Sequence, residues 1–438
     1  MQNLKKLPSG YYAVTVNAEE LENGIFTYKG VKYSAKPGVN LFACLNDAYV
    51  AATEIPTEII QGLKYESFDT PVVLMGAGNH DYNNGTPGSR SVNVDHSIAI
   101  LGEGASVNPN VPADNPNDAP LLNPERKENE TLLTGSIWWG RFIVWRDVEK
   151  IIVDGLSLLH MCIEDDRSDN NVNAFIAFRN IIYESPMFRT LFRIAQAKAG
   201  TNLHRTIEIS NIRIKDMDDC DYGNYLITPA IDELILDGVV IDTTSQVVGF
   251  SSVARDLSNI PLNSDRAKIT VRNSFFKNLK SENGICTSCD DVGDRRFDFE
   301  IENTTFVNAS REGESPLNAA LPTNNCYLSV KNSRFVDTRG NEAAAISIRG
   351  NGENVVVENT VFEGFGENVG RVLVKTDAPD YLENRDTDWE SGTEDSHTVI
   401  AEQNANFSAL DALYEDRRAY YGDLHVHTNC GGTSDGVN

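Results

Sequence analysis

Residues 299–306 read FEIENTTF, and the same pattern returns as ITVRNSFF at 269–276, LSVKNSRF at 328–335 and VVVENTVF at 355–362. Aligned on Asn273, Asn303, Asn332 and Asn359, the apolar residues fall at −4, −2 and +3. The frame extends backwards to Gly238, Asn211, Asn180 and Gly155. At −4 stand Ile151, Ile176, Ile207, Leu234, Ile269, Phe299, Leu328 and Val355. At −2 stand Val153, Phe178, Ile209, Leu236, Val271, Ile301, Val330 and Val357, and at +3 Leu158, Tyr183, Ile214, Ile241, Phe276, Phe306, Phe335 and Phe362. Every one of these positions is apolar or aromatic, in a chain of only 40% such residues, so the repeat is not a chance alignment.

Alternation at −4 and −2 is the period of a strand with one buried face. The register then breaks, because +3 lies five residues beyond −2. At the break stands only Asn or Gly, the residues that best tolerate a left-handed backbone. A strand, a one-residue bend and a second strand make one corner of a parallel coil. Anchor spacings of 25 to 35 residues suit one three-strand coil each. Stacked coils predict a Phe ladder from Phe276 to Phe362 and asparagines that hydrogen-bond along the stack. The fold class is therefore all-β, a single-stranded solenoid. A leucine-rich solenoid fails, since the repeats lack helical spacing and Asn precedes Ser or Thr in the four clearest copies.

The pattern resembles the right-handed parallel β-helix of the pectate-lyase superfold over residues 70–376. An exposed solenoid end needs a cap, and residues 41–53 place Leu41, Leu45, Ala48, Tyr49 and Ala52 on one helical face. Residues 1–69 are thus expected to form an N-terminal cap region, with the stretches PVVLMGAGNH and HSIAILGEG as first coils. Residues 103–131 carry five prolines and read as irregular. Residues 377–406 turn acidic and lose the repeat, giving a linker or a frayed last coil. Ser408 and Asp411 then offer a capping pair for a short helix in the tail, 407–438.

The formal charge of −26 disfavours nucleic acid and anionic membranes as partners. No run approaches the roughly 18 apolar residues of a membrane span. Residues 1–12, MQNLKKLPSGYY, lack an apolar run and do not read as a secretory signal. This fits either a cytoplasmic protein or an exported one whose leader has been removed. Seven scattered cysteines argue against a disulfide framework, and Cys286 with Cys289 lacks a second pair to complete a zinc site.

The chain closes on residues 420–436, YYGDLHVHTNCGGTSDG. This stretch resembles the first motif of the polymerase and histidinol phosphatase (PHP) family of metallophosphoesterases. The resemblance implies that His425 and His427 bind a divalent metal (zinc, manganese or iron), with Asp435 supporting the cluster. Neutral imidazoles on alternate strand residues suit such a metal. The later ligand motifs of that family do not follow in this chain, so phosphoesterase activity is not expected from it. The expectation is a β-helix preceding a downstream PHP domain.

Three acidic stretches interrupt the repeat: IEDDRSDNN from Ile163, KDMDDCDYGN from Lys215 and CDDVGDRR from Cys289. Asp165 lies at +10 from its anchor, and Asp219 and Asp221 at +8 and +10 from theirs. Carboxylates so clustered suit calcium, which takes oxygen ligands. β-Helix polysaccharide lyases often use calcium with a Lys or Arg base, and the resemblance implies Arg193, Lys198 and Arg255 as catalytic candidates. His80, His96, His160, His204 and His397 form no close pair and are expected at turns or on the surface. The functional expectation is a polysaccharide lyase or hydrolase acting on a glycan along the solenoid. The alternative is a non-catalytic glycan-binding or scaffold module.

Overall fold

The computed structural model describes residues 4–55, 64–65, 68–81, 91–105, 110–111, 121–122, 129–134, 141–145, 148–159, 162–165, 174–184, 192–193, 205–215, 225–228, 233–244, 246–249, 266–279, 284–287, 296–321, 324–350, 354–365, 372–375 and 382–384. These residues form a parallel β-solenoid of about seven turns with two α-helices. Each turn has three strand segments, the first two of which run on as one unbroken strand through Gly155, Asn180 and Asn211 (Lys150–Leu159, Ala174–Glu184 and Arg205–Lys215). The first two, on either side of the anchor, stack into columns of a 19-stranded sheet, and the third stacks into an 11-stranded sheet.

The anchor bends as its residue types require. The six asparagines have φ between +48° and +52°, and Gly155 and Gly238 have +75° and +67°. Asn is the side chain that enters this region most readily, and here its amide is also used. Asn303 Nδ2 donates to Asn273 Oδ1 (2.8 Å), Asn273 to Asp237 Oδ1 (2.8 Å), Asn211 to Asn180 Oδ1 (3.3 Å) and Asn180 to Asp154 Oδ1 (2.7 Å). Every one of these donors points to the preceding coil. The Ser or Thr after Asn has a separate task. Ser274, Thr304, Ser333 and Thr360 are buried, and each hydroxyl donates to the carbonyl two residues before it. Ser274 and Ser333 also accept the amides of Val239 and Thr304 from the preceding coil. The Asn-Ser/Thr pair thus satisfies backbone groups that the corner would otherwise bury unpaired.

Inward residues form continuous ladders. Phe276, Phe306, Phe335 and Phe362 stack with ring centroids 5.3, 4.6 and 5.4 Å apart. Upstream, the +3 ladder runs through Leu158 and Leu133 to His80. His80 is therefore buried rather than superficial, and its Nε2 donates to the Gly76 carbonyl oxygen at 2.7 Å.

Helix α2 (Leu45–Thr53) closes the N-terminal end, burying Leu45, Ala48, Tyr49 and Ala52 against Tyr12, Val73 and Met75. Leu41 lies outside it, in the strand Leu41–Phe42, because Cys44 takes an extended backbone and starts the helix later. Tyr49 hydroxyl donates to Asp95 Oδ1 (2.6 Å) and accepts the amide of Asp95 (2.7 Å), pinning the cap to a coil. The strand Tyr11–Val14 pairs in parallel with Val72–Met75, so the solenoid's first strand precedes its cap helix.

Helix α1 (Ala18–Asn23) is capped by Asn17 Oδ1, and the hairpin Ile25–Tyr28/Val31–Ser34 follows it. This segment lies on the outer face of the first coils, where Phe26 and Leu7 cluster with Ala99, Ile152 and Ala177. Outward residues are apolar where this cover exists. From Glu208 onwards that column turns largely polar: Thr270, Glu300 and Ser329 occupy it in later coils.

Two stretches carry short antiparallel strands beside the parallel stack. Within 103–131, Asn110–Val111 pairs antiparallel with Leu121–Leu122, using the few apolar residues available there. Leu382–Asn384 returns antiparallel along Val372–Lys375.

Candidate functional site

The third strand of each coil brings together residues that the repeat does not align. Parallel pairing places Val92, Ile143, Ile163, Phe192, Ile227, Val248, Ile285, Leu317, Ile346 and Val372 in one register line. Ile285, Leu317 and Ile346 are fully buried, so this line is a third core ladder. Its neighbouring register column, one residue on, is largely polar. It runs Asn93, Val144, Glu164, Arg193 and Thr228, and resumes with Cys286, Asn318 and Ser347.

Glu164 and Arg193 are therefore direct partners in adjacent strands, about 4.8 Å apart along the stack. Asp165 follows Glu164 and is in register with Trp145. Residues 163–171 are expected as a loop, but the first three of them complete the strand Cys162–Asp165. Arg193 and Asp165 stand among the sequence candidates; Glu164 does not. The adjacency is invisible without the third-strand register.

The remaining candidates, Lys198, Asp219, Asp221, Arg255, His425, His427 and Asp435, lie outside the described residues. Among the described residues no group of three or more His, Cys, Asp or Glu is gathered to hold a metal ion.

On the outer face of the first column, acids and bases alternate from coil to coil. Arg272 pairs with Asp237 (2.8 Å), Lys268 with Glu300 (2.6 Å) and Lys331 with Glu358 (2.8 Å). Arg179 grips Glu208 through two bonds, at 2.6 and 2.9 Å. Arg296 lies over the ring of Tyr327 at 4.3 Å while its Nε donates to Asp298. Exposed pairs of this kind add little stability each. They do neutralise the face and favour the observed register over slips that would bring like charges opposite. Near the N-terminal hairpin, Glu103 accepts the Lys29 amide at 2.7 Å, and burial pushes its carboxyl up from the usual range.

A tighter polar cluster joins the turn at 310–315 to the end of the strand Arg334–Asn341. Asp337 is buried; Arg339 donates to both its carboxylate oxygens and also to the Ser310 carbonyl. Asn341 accepts the Gly313 and Ala343 amides and donates to the Glu314 carbonyl. Burial alone would raise the Asp337 pKa, but hydrogen bonds from the Arg339 side chain and amide outweigh it and hold the carboxyl below its usual value. A depressed carboxylate contributes stability above its unfolded pKa of about 3.9 and loses it as pH falls through the folded value. The urea midpoint of Asp337→Asn should therefore trail the parent most at neutral pH, the gap closing below about pH 4. A gap that stays constant with pH would show that the carboxylate's charge contributes nothing.

The chain matches no protein-family model, no curated protein and no solved structure.

Proposed function

We propose that the solenoid is a carbohydrate-active module that lays an extended acidic polysaccharide across its coils at the third strand column. The observation that carries this reading is the register of Glu164 against Arg193. Arg193 binds a uronate carboxylate through its planar fork of donors. Neutralising that carboxylate makes the adjacent C–H proton easier to remove. Proton removal falls to Lys198, the one of the two side-chain types named that loses its proton when desolvated. The electron pair left behind forms the carbon–carbon double bond as the glycosidic oxygen departs with its sugar. Calcium held by Asp165, Asp219 and Asp221 would offset the protein's own negative field, which otherwise repels such a polymer. The PHP-like tail is read as the start of a metallohydrolase that acts on what the solenoid holds.

A second reading, a glycan-binding platform without catalysis, is favoured by the outer face of the first column. There the bases named above are matched to acids in neighbouring coils, leaving a neutralised polar strip.

The two readings separate in one assay. Uronate polymers are incubated with the chain and calcium, and unsaturated product is followed by ultraviolet absorbance. Lyase action predicts product that falls at least about tenfold in Arg193→Ala, the loss of one charge-assisted contact. Tight retention on a polymer with no absorbance change supports the platform. Activity unaffected by Arg193→Ala would remove this residue from the site.

A further inference from the structure

Charge is not spread evenly along the chain. Residues 1–40 hold five of its 38 lysines and arginines but only three of its 64 acids, in a protein of charge −26. The five lysines, Lys5, Lys6, Lys29, Lys32 and Lys36, are all exposed. A three-stranded sheet positions them, with Val31–Ser34 in the centre between Lys5–Lys6 and Ile25–Tyr28. Its inner face packs Phe26, Tyr28 and Tyr33 with Leu7 on the outer apolar cluster of the first coils. Alternation turns the other face to solvent. There the register sets Lys6 beside Ser34 and Lys32 beside Thr27. Among the described residues Lys5, Lys6, Lys32 and Lys36 form no ion pair, whereas Lys268 and Lys331 are each matched to a glutamate in the next coil. Lysine on an edge strand guards against pairing with other chains, which accounts for Lys5 and Lys6. Lys32 stands in the central strand, where no edge needs guarding.

We infer that this outer face of the cap sheet is a docking surface for an acidic polysaccharide, a contact separate from the third strand column. The inference rests on the reading that such a polymer is the ligand. An unmatched basic face in an otherwise acidic molecule is where the local field turns positive, so a polyanion repelled elsewhere is drawn to it. Strand and residue spacings place the Cα atoms of Lys6 and Lys32 roughly 8 Å apart. Charges so separated on a flat sheet do not converge on one small anion. They suit a polymer whose carboxylates recur along its length, each met by a compact ammonium charge. Sites for single-stranded nucleic acid add aromatic rings on which bases stack. Here Tyr28 and Tyr33 are turned inward against the coils, so the basic face has no such platform.

The test is titration calorimetry of the full 438-residue chain with polygalacturonate, at low salt and without calcium. The parent should bind, and Lys6→Glu/Lys32→Glu should weaken binding at least about tenfold, because two attractions become two repulsions. Lys6→Arg/Lys32→Arg keeps the charge and should bind as the parent does. Both positions are exposed, so each variant should keep the parent's urea midpoint. Unchanged affinity in the glutamate variant overturns this inference alone, and Arg193→Ala then shows whether the polymer sits at the third column instead. A parent that binds no uronate polymer overturns the acidic-polysaccharide reading and this inference with it. Equal affinity for the fully methyl-esterified polymer overturns the inference too, since the contact would not depend on charge. Tighter binding of a DNA duplex would do the same, because the face would then serve nucleic acid.

Discussion

Phe306→Ala is expected to destabilise the solenoid by about 3–5 kcal/mol, the usual cost of deleting a fully buried phenyl ring. Phe306 is fully buried and stacks between Phe276 and Phe335, nearly parallel to the latter at 6°. In a solenoid each coil touches only its neighbours, so one deletion weakens two interfaces at once. The coils C-terminal to the cavity should then unfold at lower urea than those before it, splitting a single transition into two. Phe362→Ala is the control: it stacks on Phe335 from the end of the ladder and should cost clearly less. Urea unfolding followed by circular dichroism reads both. Equal costs for the two variants would mean that ladder position does not matter, contrary to a nearest-neighbour stack.

Asn303→Ala should cost about 2–3 kcal/mol, against about 1 kcal/mol for Asn303→Gly. Two effects are separable at this corner. The backbone sits at φ +50°, where a residue with an ordinary Cβ is disfavoured by about 1–2 kcal/mol. The side-chain amide donates to Asn273 Oδ1, a bond worth about 1 kcal/mol net. Alanine loses both and glycine loses only the bond. The chain already uses glycine at two corners. At Gly238 a Cβ would approach Asn211 Oδ1 to 2.6 Å, so the ladder there is interrupted without a backbone penalty. The same urea series decides the point: indistinguishable costs for Ala and Gly would place the whole effect in the hydrogen bond.

Much of this architecture is legible in eight-residue phrases such as FEIENTTF. The −4, −2 and +3 ladders, the left-handed corner at Asn and the buried hydroxyl after it are all short-range. Two residues of alternation and one special φ are written into adjacent positions. The cap helix is equally local, apart from its start, which moved from residue 41 to Leu45.

The third ladder is different. Its members fall at variable offsets from the anchors, from 8 residues (Gly155 to Ile163) to 16 (Asn211 to Ile227). Loops of unequal length separate them from the repeat, so no fixed spacing reveals them. Only hydrogen bonding between coils sets their register. The same reason hides the contribution of Tyr11–Val14 to the first coil and the adjacency of Glu164 and Arg193.

His80 belongs with these. Nothing around it in sequence marks it as the head of a core ladder, and its burial follows from pairing with Leu133. By itself, then, the sequence determined that this chain stacks parallel coils around aliphatic and phenyl ladders, turning at Asn or Gly, because those choices depend on neighbours within a few residues. Tertiary structure alone decided which third strands align and which acid of one coil meets which base of the next, because those partners stand a whole coil apart in the chain and meet only when the stack is complete.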